Sequence, residues 1–403
     1  MAEPRLCLVI GTFFPEVGGA EVQALNHARA LRETGFDVEI VTLRHRREWP
    51  ASEVIDDVPV RRLGGRVLGN RTRLPGLLRK TAYFLGVTAL GWDLWRRRER
   101  YDVLCLFQLN LLTVPGAVVS ALAGRPLVIQ LHTDVQAHIR KAAGSRRREI
   151  MARLEATLPR LALRLVRGGP SVIVALSSRT DREARAARLG LPVLHIPNGV
   201  DTDRFRPALL TEERSRTVVC VARLAYPKGI DLLLRAWQIV RQRVPEARLI
   251  VVGDGPLQSE LRRLSTELGN DETVEFAGHH DDVVPQLQRA GIAVLASRWE
   301  GMPVALLEAM ACGLPAVATR VSGSEDIVQS GQNGFLAEPG DITGLANGLL
   351  TLLTDAEKAA SFSRAARATI EERYALRRSN EDYAALYRRL AGGTEWIHVR
   401  VPV

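Results

Sequence analysis

The stretch from Ala296 to Thr319, ASRWEGMPVALLEAMACGLPAVAT, puts two carboxylates where carboxylates can bind hydroxyl groups. An apolar run ends near Ala296, and a loop then carries Glu300 and Gly301. A helix is expected to start at Pro303, where a missing N–H costs nothing, and Gly313 suits the left-handed residue that ends it. Glu308 follows Pro303 by about 7.5 Å along that helix. One carboxylate thus stands at the loop and the other deeper on the helix. The unpaired amides of the first turn, with the positive end of the helix dipole, suit a phosphate or a sugar hydroxyl. A lone glutamate is usually a solvated charge. The strand-end position, the flanking Gly301 and Pro303, and the apolar helix around Glu308 favour a binding role.

Other segments offer matching chemistry. A glycine pair, Gly18 and Gly19, lies in FFPEVGGAE after the first apolar run. Two cations, Arg223 and Lys228, lie in VARLAYPKG after the first apolar run of the second half. His132 ends the apolar run in IQLHTD. Taken singly, a glycine pair makes a turn, a cation pair is solvated and a histidine finds core partners. Their shared place after apolar runs in both halves of the chain raises the functional reading. Asp201-Thr202-Asp203 resembles a metal-binding pair but follows Pro197-Asn198-Gly199, so it reads as turn chemistry and no catalytic metal is expected. Gly253-Asp254-Gly255 is half of a dinucleotide fingerprint, yet the first apolar run ends in GTFFPEVGG, which speaks against a nicotinamide enzyme.

The elements that must hold these residues alternate between short apolar runs and helix-period segments. Leu6–Ile10, Val38–Leu43, Val103–Phe107, Pro126–Leu131 and Val172–Leu176 read as buried strands. The pattern restarts at Thr217–Ala222 and runs through Arg248–Val252, Thr273–Phe276, Ile292–Ala296 and Pro315–Thr319. Two α/β domains with doubly wound parallel sheets follow, and ligands of such sheets bind beyond the carboxyl ends of the strands. Domains are expected over residues 1–200 and 201–375, joined through the turn-rich IPNGVDTDRFRP. A helix and tail over 376–403 are expected to return to the first domain.

The pattern E-G-M-P-x4-E-A-M-A-x-G-x-P resembles the signature of the retaining nucleotide-sugar glycosyltransferases of family 4, whose fold is GT-B. FFPEVGGAE, IQLHTD, IPNGVD, VARLAYPKG and VGDGP are similar to further segments of that family, in the order it requires. The resemblance implies two Rossmann-like domains facing each other across a cleft, and transfer of a hexose from a nucleotide diphosphate sugar with retention and without metal or cofactor. It implies catalytic roles for His132, Glu300, Arg223 and Lys228, with Gly18, Gly19, Gly301, Met302 and Glu308 also on the donor. Arg223 and Lys228 would hold the leaving diphosphate, Glu308 the ribose hydroxyls, Glu300 with the amides after it the sugar hydroxyls, and His132 the sugar near its reacting carbon. The alternatives are an epimerase or phosphorylase of the same fold and a non-catalytic glycan- or membrane-binding relative.

Charge and composition bear on partners. The 403 residues carry a formal charge of +10, and it is uneven: residues 1–200 hold 31 Lys and Arg against 18 Asp and Glu, and the rest hold 24 against 27. A basic first half implies an anionic or lipid-linked acceptor rather than nucleic acid. Pro75 to Arg100 is uncharged from Thr81 to Trp92 and ends in Arg96, Arg97, Arg98 and Arg100 beside Trp92 and Trp95. It reads either as a core helix with a basic end or as an interfacial helix on an anionic membrane. Arg146, Arg147 and Arg148 form a second basic cluster. The four widely spaced cysteines read as reduced thiols packed as small hydrophobes, and the N-terminus lacks the pattern of a secretory signal. The expected location is cytoplasmic, peripheral to the inner face of a membrane.

Overall fold

The computed structural model describes residues 3–16, 18–46, 48–64, 76–132, 157–209 and 211–393. The Arg146–Arg148 cluster and the tail beyond residue 393 lie outside the described residues. The chain forms two compact units, one from residues up to Ile196 together with those from Asn380 onward, the other Pro197–Ser379.

In the first unit eight strands form one sheet: β1 (Arg5–Ile10), β2 (Asp37–Leu43), β3 (Ser52–Ile55), β4 (Val58–Leu63), β5 (Val103–Phe107), β6 (Leu127–Leu131), β7 (Val172–Ala175) and β8 (Val193–His195). Their order is β3-β4-β2-β1-β5-β6-β7-β8. The central strands read as unbroken apolar runs because the crossover helices α1 (Gly19–Glu33), α2 (Gly76–Arg96), α3 (Thr113–Ala123) and α4 (Ser178–Ala186) leave neither face to water.

The β3–β4 pair is antiparallel, a departure from the all-parallel expectation. Its two-residue turn uses Asp56 and Asp57, with φ of 47° and 63°. That matches the twist of a hairpin, but it lacks the Asn-Gly that would advertise one. β4 also hides its strand character behind two arginines. Arg61 pairs with Glu39 and Asp93, and the wholly buried Arg62 pairs with Glu53 and donates to the Phe14 carbonyl.

The second unit has six parallel strands: β9 (Thr217–Val221), β10 (Arg248–Val252), β11 (Val274–Gly278), β12 (Ile292–Leu295), β13 (Ala316–Thr319) and β14 (Gly334–Ala337). They are ordered β11-β10-β9-β12-β13-β14. Around them lie α5 (Ile230–Arg243), α6 (Gln258–Glu267), α7 (Val304–Ala311), α8 (Ile342–Thr354) and α9 (Ala356–Arg373). Trp237 of α5 is the largest fully buried side chain, and its indole N–H donates to Thr273 at 3.0 Å. The last helix among the described residues, α10 (Leu376–Ala391), begins in the second unit and belongs to the first from Asn380.

Chain order reverses between β1 and β5 in the first sheet and between β9 and β12 in the second. At such points neighbouring crossovers lie on opposite faces, so the loops after the two strands part and leave a crevice. The segment carrying Arg223 and Lys228 follows β9, and Glu300 follows β12.

The helical basic segment departs in part from its interfacial reading. Trp95 packs on the core, Arg98 lies over its ring at 4.4 Å, and Arg97 is paired with Glu39 at 3.0 Å. A helix with one face on a core turns every third or fourth residue inward, so alternate members of the cluster find partners inside the unit. Phe84, Leu85, Thr88, Trp92 and Arg96 face outward at successive helical turns, with Trp92 63% exposed. The neighbouring α3 and the segment after residue 157 add exposed Leu122, Leu158, Leu161 and Leu165. Among the described residues no helix is long and apolar enough to cross a membrane.

Candidate functional site

The turn after β9 is shaped by close backbone approach. A short 3-10 turn, Tyr226–Lys228, leads into Gly229, whose φ is 62°. A Cβ at Gly229 would stand 2.0 Å from the Ala296 carbonyl oxygen at the end of β12, so no side chain fits there. This contact seats Lys228 against the Glu300 loop. Arg298 fastens the two segments, with bonds of 2.8 and 2.6 Å to Asp231 and its guanidinium 4.2 Å from the Tyr226 ring.

Lys228 Nζ donates to Glu300 Oε1 at 2.6 Å, and the Ser297 hydroxyl donates to the same oxygen at 2.6 Å. Ser297 is fully buried, and its carbonyl accepts from the Thr319 hydroxyl. The glutamate is nearly enclosed, whereas the lysine is about one-quarter exposed. Arg223 is exposed and has no side-chain partner among the described residues.

Pro303 is the N-cap of α7, with ψ of 103°, and not its first helical residue; Val304 opens the helix. Extended backbone at the cap turns the chain out of the helix axis toward Glu300. The amides of Val304 and Ala305 donate to no backbone carbonyl among the described residues, which leaves an anion-binding helix start. Gly301 and Met302 are buried, so they can offer a ligand little beyond backbone. Behind them Gly323, with φ of 76°, admits the Gly301 carbonyl, which a Cβ would meet at 2.4 Å. At the far end Gly313 donates to Met310 and Leu314 to Ala309, the paired bonds of a Schellman ending.

Glu308 sits half-buried on α7, apart from the Lys228–Glu300 pair. Burial pushes its carboxyl up to about 7, with Arg204 pulling it down and Asp282 pushing it up by less. Arg204 and Asp282 are themselves paired at 2.9 Å. The Asp201 carboxylate accepts from the amides of Asp203 and Arg204, both at 3.0 Å, which is turn chemistry.

In the first unit Gly18 is the N-cap of α1 and Gly19 its first residue. The Glu21 carboxylate folds back toward Gly18 and accepts from the Thr12 hydroxyl at 2.6 Å. His132 follows β6, is 8% exposed and stacks on Phe107 at 5.1 Å. Its Nε2 is engaged by Gln130, and burial lowers the imidazole to about 4.

Residues 17–204 match Glycosyltransferase Family 4, and residues 201–369 match Glycosyl transferases group 1. A GDP-mannose-dependent monoacylated alpha-(1-6)-phosphatidylinositol monomannoside mannosyltransferase of Corynebacterium glutamicum is 31% identical over 271 residues, 62% of this chain and 70% of the relative. The chain belongs to glycosyltransferase family 4. A GDP-mannose-dependent alpha-(1-6)-phosphatidylinositol monomannoside mannosyltransferase of Mycolicibacterium smegmatis is 35% identical over 233 residues, 52% of this chain and 59% of the relative. The chain thus spans little more than half the length of that relative. Sucrose-phosphate synthase from Thermosynechococcus elongatus shares the fold, with a TM-score of 0.80 at 20% identity over 97% of this chain and 100% of that one.

In this family 4 chain, sequence reasoning passed over Ser297, Arg298, Asp231, Arg204 and Gln130. Each acts through a partner distant in sequence or through a rotamer, and residue type alone signals neither. The serine-flanked Gly323 in Ser322-Gly323-Ser324 after β13 was a legible sign of another backbone approach.

Glu308 makes a pH test possible. Its carboxyl titrates near 4.5 when unperturbed and near 7 in the fold. Between those values the folded chain keeps a proton that the unfolded chain has lost. Its contribution to stability is therefore full below pH 4.5, falls as pH rises to 7, and is flat above. Relative to Glu308→Gln, which cannot titrate, the parent chain should lose up to about 3 kcal/mol across that window. Urea denaturation of both proteins from pH 4.5 to 8 checks this, and parallel profiles would refute it.

Proposed function

We propose that this family 4 glycosyltransferase moves a hexose from a nucleotide diphosphate sugar to an anionic, lipid-linked acceptor, with retention at the anomeric carbon. The observation that carries the reading is the Lys228–Glu300–Ser297 cluster at a switch point, with an exposed Arg223 that has no side-chain partner among the described residues and an open helix start. Breaking the bond between sugar and diphosphate develops negative charge on the leaving oxygen, and fixed cations and amides stabilise such charge best when they need no reorganisation. Arg223 meets the diphosphate as a fork and Lys228 as a point charge. Glu300 and the amides that follow it hold sugar hydroxyls, and Glu308 accepts from the ribose. Within the first unit, His132 and the Gly18–Gly19 loop keep the roles that the family resemblance implies for them.

Retention follows from attack on the face that the diphosphate leaves, with a phosphate oxygen taking the acceptor proton. The two cations supply the neutralisation, so no metal or cofactor is needed. The curated relatives are named for GDP-mannose and for phosphatidylinositol acceptors, which supports a hexose donor and an anionic lipid partner. To test the reading, GDP-mannose and UDP-glucose are incubated with vesicles containing phosphatidylinositol glycolipid in the presence of a chelator, and the product linkage is read by NMR. An α-linked product from an α-linked donor is expected. An inverted product, or complete dependence on added Mn²⁺, would overturn it.

The same reading places the enzyme at the inner face of a membrane. The outward stripe of Phe84, Leu85, Trp92 and Arg96 offers apolar side chains with a cation at one end. Each arginine near an anionic surface contributes about 1 kcal/mol, screened by salt over about 8 Å. The protein should sediment with anionic vesicles at low salt and leave them as salt rises. Trp92→Ala with Arg96→Ala should weaken binding about tenfold or more, while Arg97→Ala should do little beyond disturbing its Glu39 pair. No sedimentation at low salt would dismiss the membrane.

A further inference from the structure

Beneath His132 runs a line of buried polar side chains that the proposed transfer does not use. His132 Nε2 lies 3.1 Å from Gln130 Oε1, and Gln130 Nε2 lies 3.6 Å from Cys105 Sγ. The Tyr387 hydroxyl lies 3.4 Å from the same sulfur and 3.0 Å from His27 Nε2. Gln130, Cys105, Tyr387 and His27 are all buried. Tyr387 comes from α10, 282 positions along the chain from Cys105. Burying polar groups costs free energy unless each is satisfied, and a strand such as β6 would be filled more simply by Val or Leu at position 130.

The polarity of the line can be read from its ends. A neutral imidazole has one N–H and one lone pair, and a carbonyl oxygen only accepts. Nε2 of His132 therefore carries the proton, and Nδ1 keeps its lone pair. Nδ1 has no partner among the described residues. The amide is oriented from its other side. One N–H points to the Cys105 sulfur, and Gln130 also stands within hydrogen-bonding reach of the Tyr387 hydroxyl. Turned round, the amide would spend one N–H on His132 and leave the other with nothing to bind.

We infer that Gln130, held in one orientation by Cys105 and by Tyr387 of α10, fixes His132 as the Nε2-protonated neutral tautomer, leaving Nδ1 to accept a hydrogen bond from a hydroxyl of the transferred sugar. Gln130 and Tyr387 are positioning residues. The tautomer rests on geometry, and only the identity of the hydroxyl rests on the transfer reading. Burial keeps the ring neutral at physiological pH, since its pKa falls to about 4.

The test reads the tautomer directly. The full chain, labelled with ¹⁵N-histidine and free of donor, is examined by long-range ¹⁵N–¹H correlation, with the His132 signals identified by their loss in His132→Asn. Nε2 is expected to be protonated and Nδ1 bare. Gln130→Met should populate both tautomers and lower turnover about tenfold. Tyr387→Phe, which removes a single oxygen, should shift the balance in the same direction by less, and it serves if Gln130→Met fails to fold. A protonated Nδ1 in the parent chain, or a tautomer unmoved in both variants, would overturn the inference. Mixed tautomers with undiminished turnover would overturn the acceptor role of Nδ1. A parent chain that shows the tautomer but transfers no sugar would instead sink the transfer reading, and with it the ligand assigned to Nδ1.

Discussion

Arg223→Ala will lower turnover about a hundredfold or more while leaving the fold as stable as before. The guanidinium is exposed and bonds to no described side chain, so its removal orphans nothing. Its whole effect should fall on the charge that develops as the diphosphate leaves. Lys228→Met should cost a similar factor in rate by the same argument, but not with the same stability. Its ammonium is the cation at the enclosed Glu300 carboxylate, and removing one partner leaves a buried charge with only a serine hydroxyl. Full burial would make that cost about 3–5 kcal/mol, and the partial exposure of the lysine puts it toward or below the lower end. Turnover measured beside urea denaturation separates the two variants. Near-normal turnover in both, with the fold intact, would refute the diphosphate assignment.

Glu300→Gln should cut sugar transfer by about a hundredfold and yet tighten the free nucleotide diphosphate. Lys228 cannot give its full charge to a phosphate while Glu300 holds it at 2.6 Å, so donor binding must divide the ammonium between two anions. An amide keeps the Ser297 contact and gives up the competition. Affinity for the nucleotide diphosphate should therefore rise a few-fold as the catalytic arrangement is lost. Glu308→Gln should do the reverse, weakening the nucleotide because that carboxylate is assigned to the ribose. Calorimetry with the nucleotide alone decides between them, and the opposite pattern would mean that the two glutamates have exchanged roles.

Much of this site could be read before the fold was known, because its chemistry sits in short segments after apolar runs. Glu300 and Glu308 could be singled out from local pattern, and Arg223 and Lys228 from the resemblance of VARLAYPKG to a family segment. Their pairing could not, since Lys228 and Glu300 are 72 positions apart and meet because β9 and β12 are neighbours across a reversal of chain order. The strands with continuous apolar runs were legible for the same local reason. β3 and β4 were not: an Asp-Asp turn and two arginines imitate a polar loop, and the burial of Arg62 depends on Glu53 and on the Phe14 carbonyl. Cys105 shows the limit of composition. All four cysteines are free and buried, as their spacing suggested, but this one lies within hydrogen-bonding distance of a glutamine and a tyrosine and is more than a small hydrophobe.

The division of the first unit between two stretches separated by the whole of the second sets the order in which it can be completed during synthesis. Residues up to Ile196 leave the ribosome before the second unit, and the part of α10 that carries Tyr383 and Tyr387 leaves after it. At about 5–20 residues per second the nascent first unit waits on the order of 10–40 s for that helix. Throughout that interval His27 and Cys105 have no Tyr387 hydroxyl, and the face that α10 will cover is open to solvent or to a chaperone. The second unit has no such wait, since Pro197–Ser379 is one continuous stretch. The half made first is thus the half finished last, and a chain cut short after Ser379 would have its later-made half complete and its earlier-made half not.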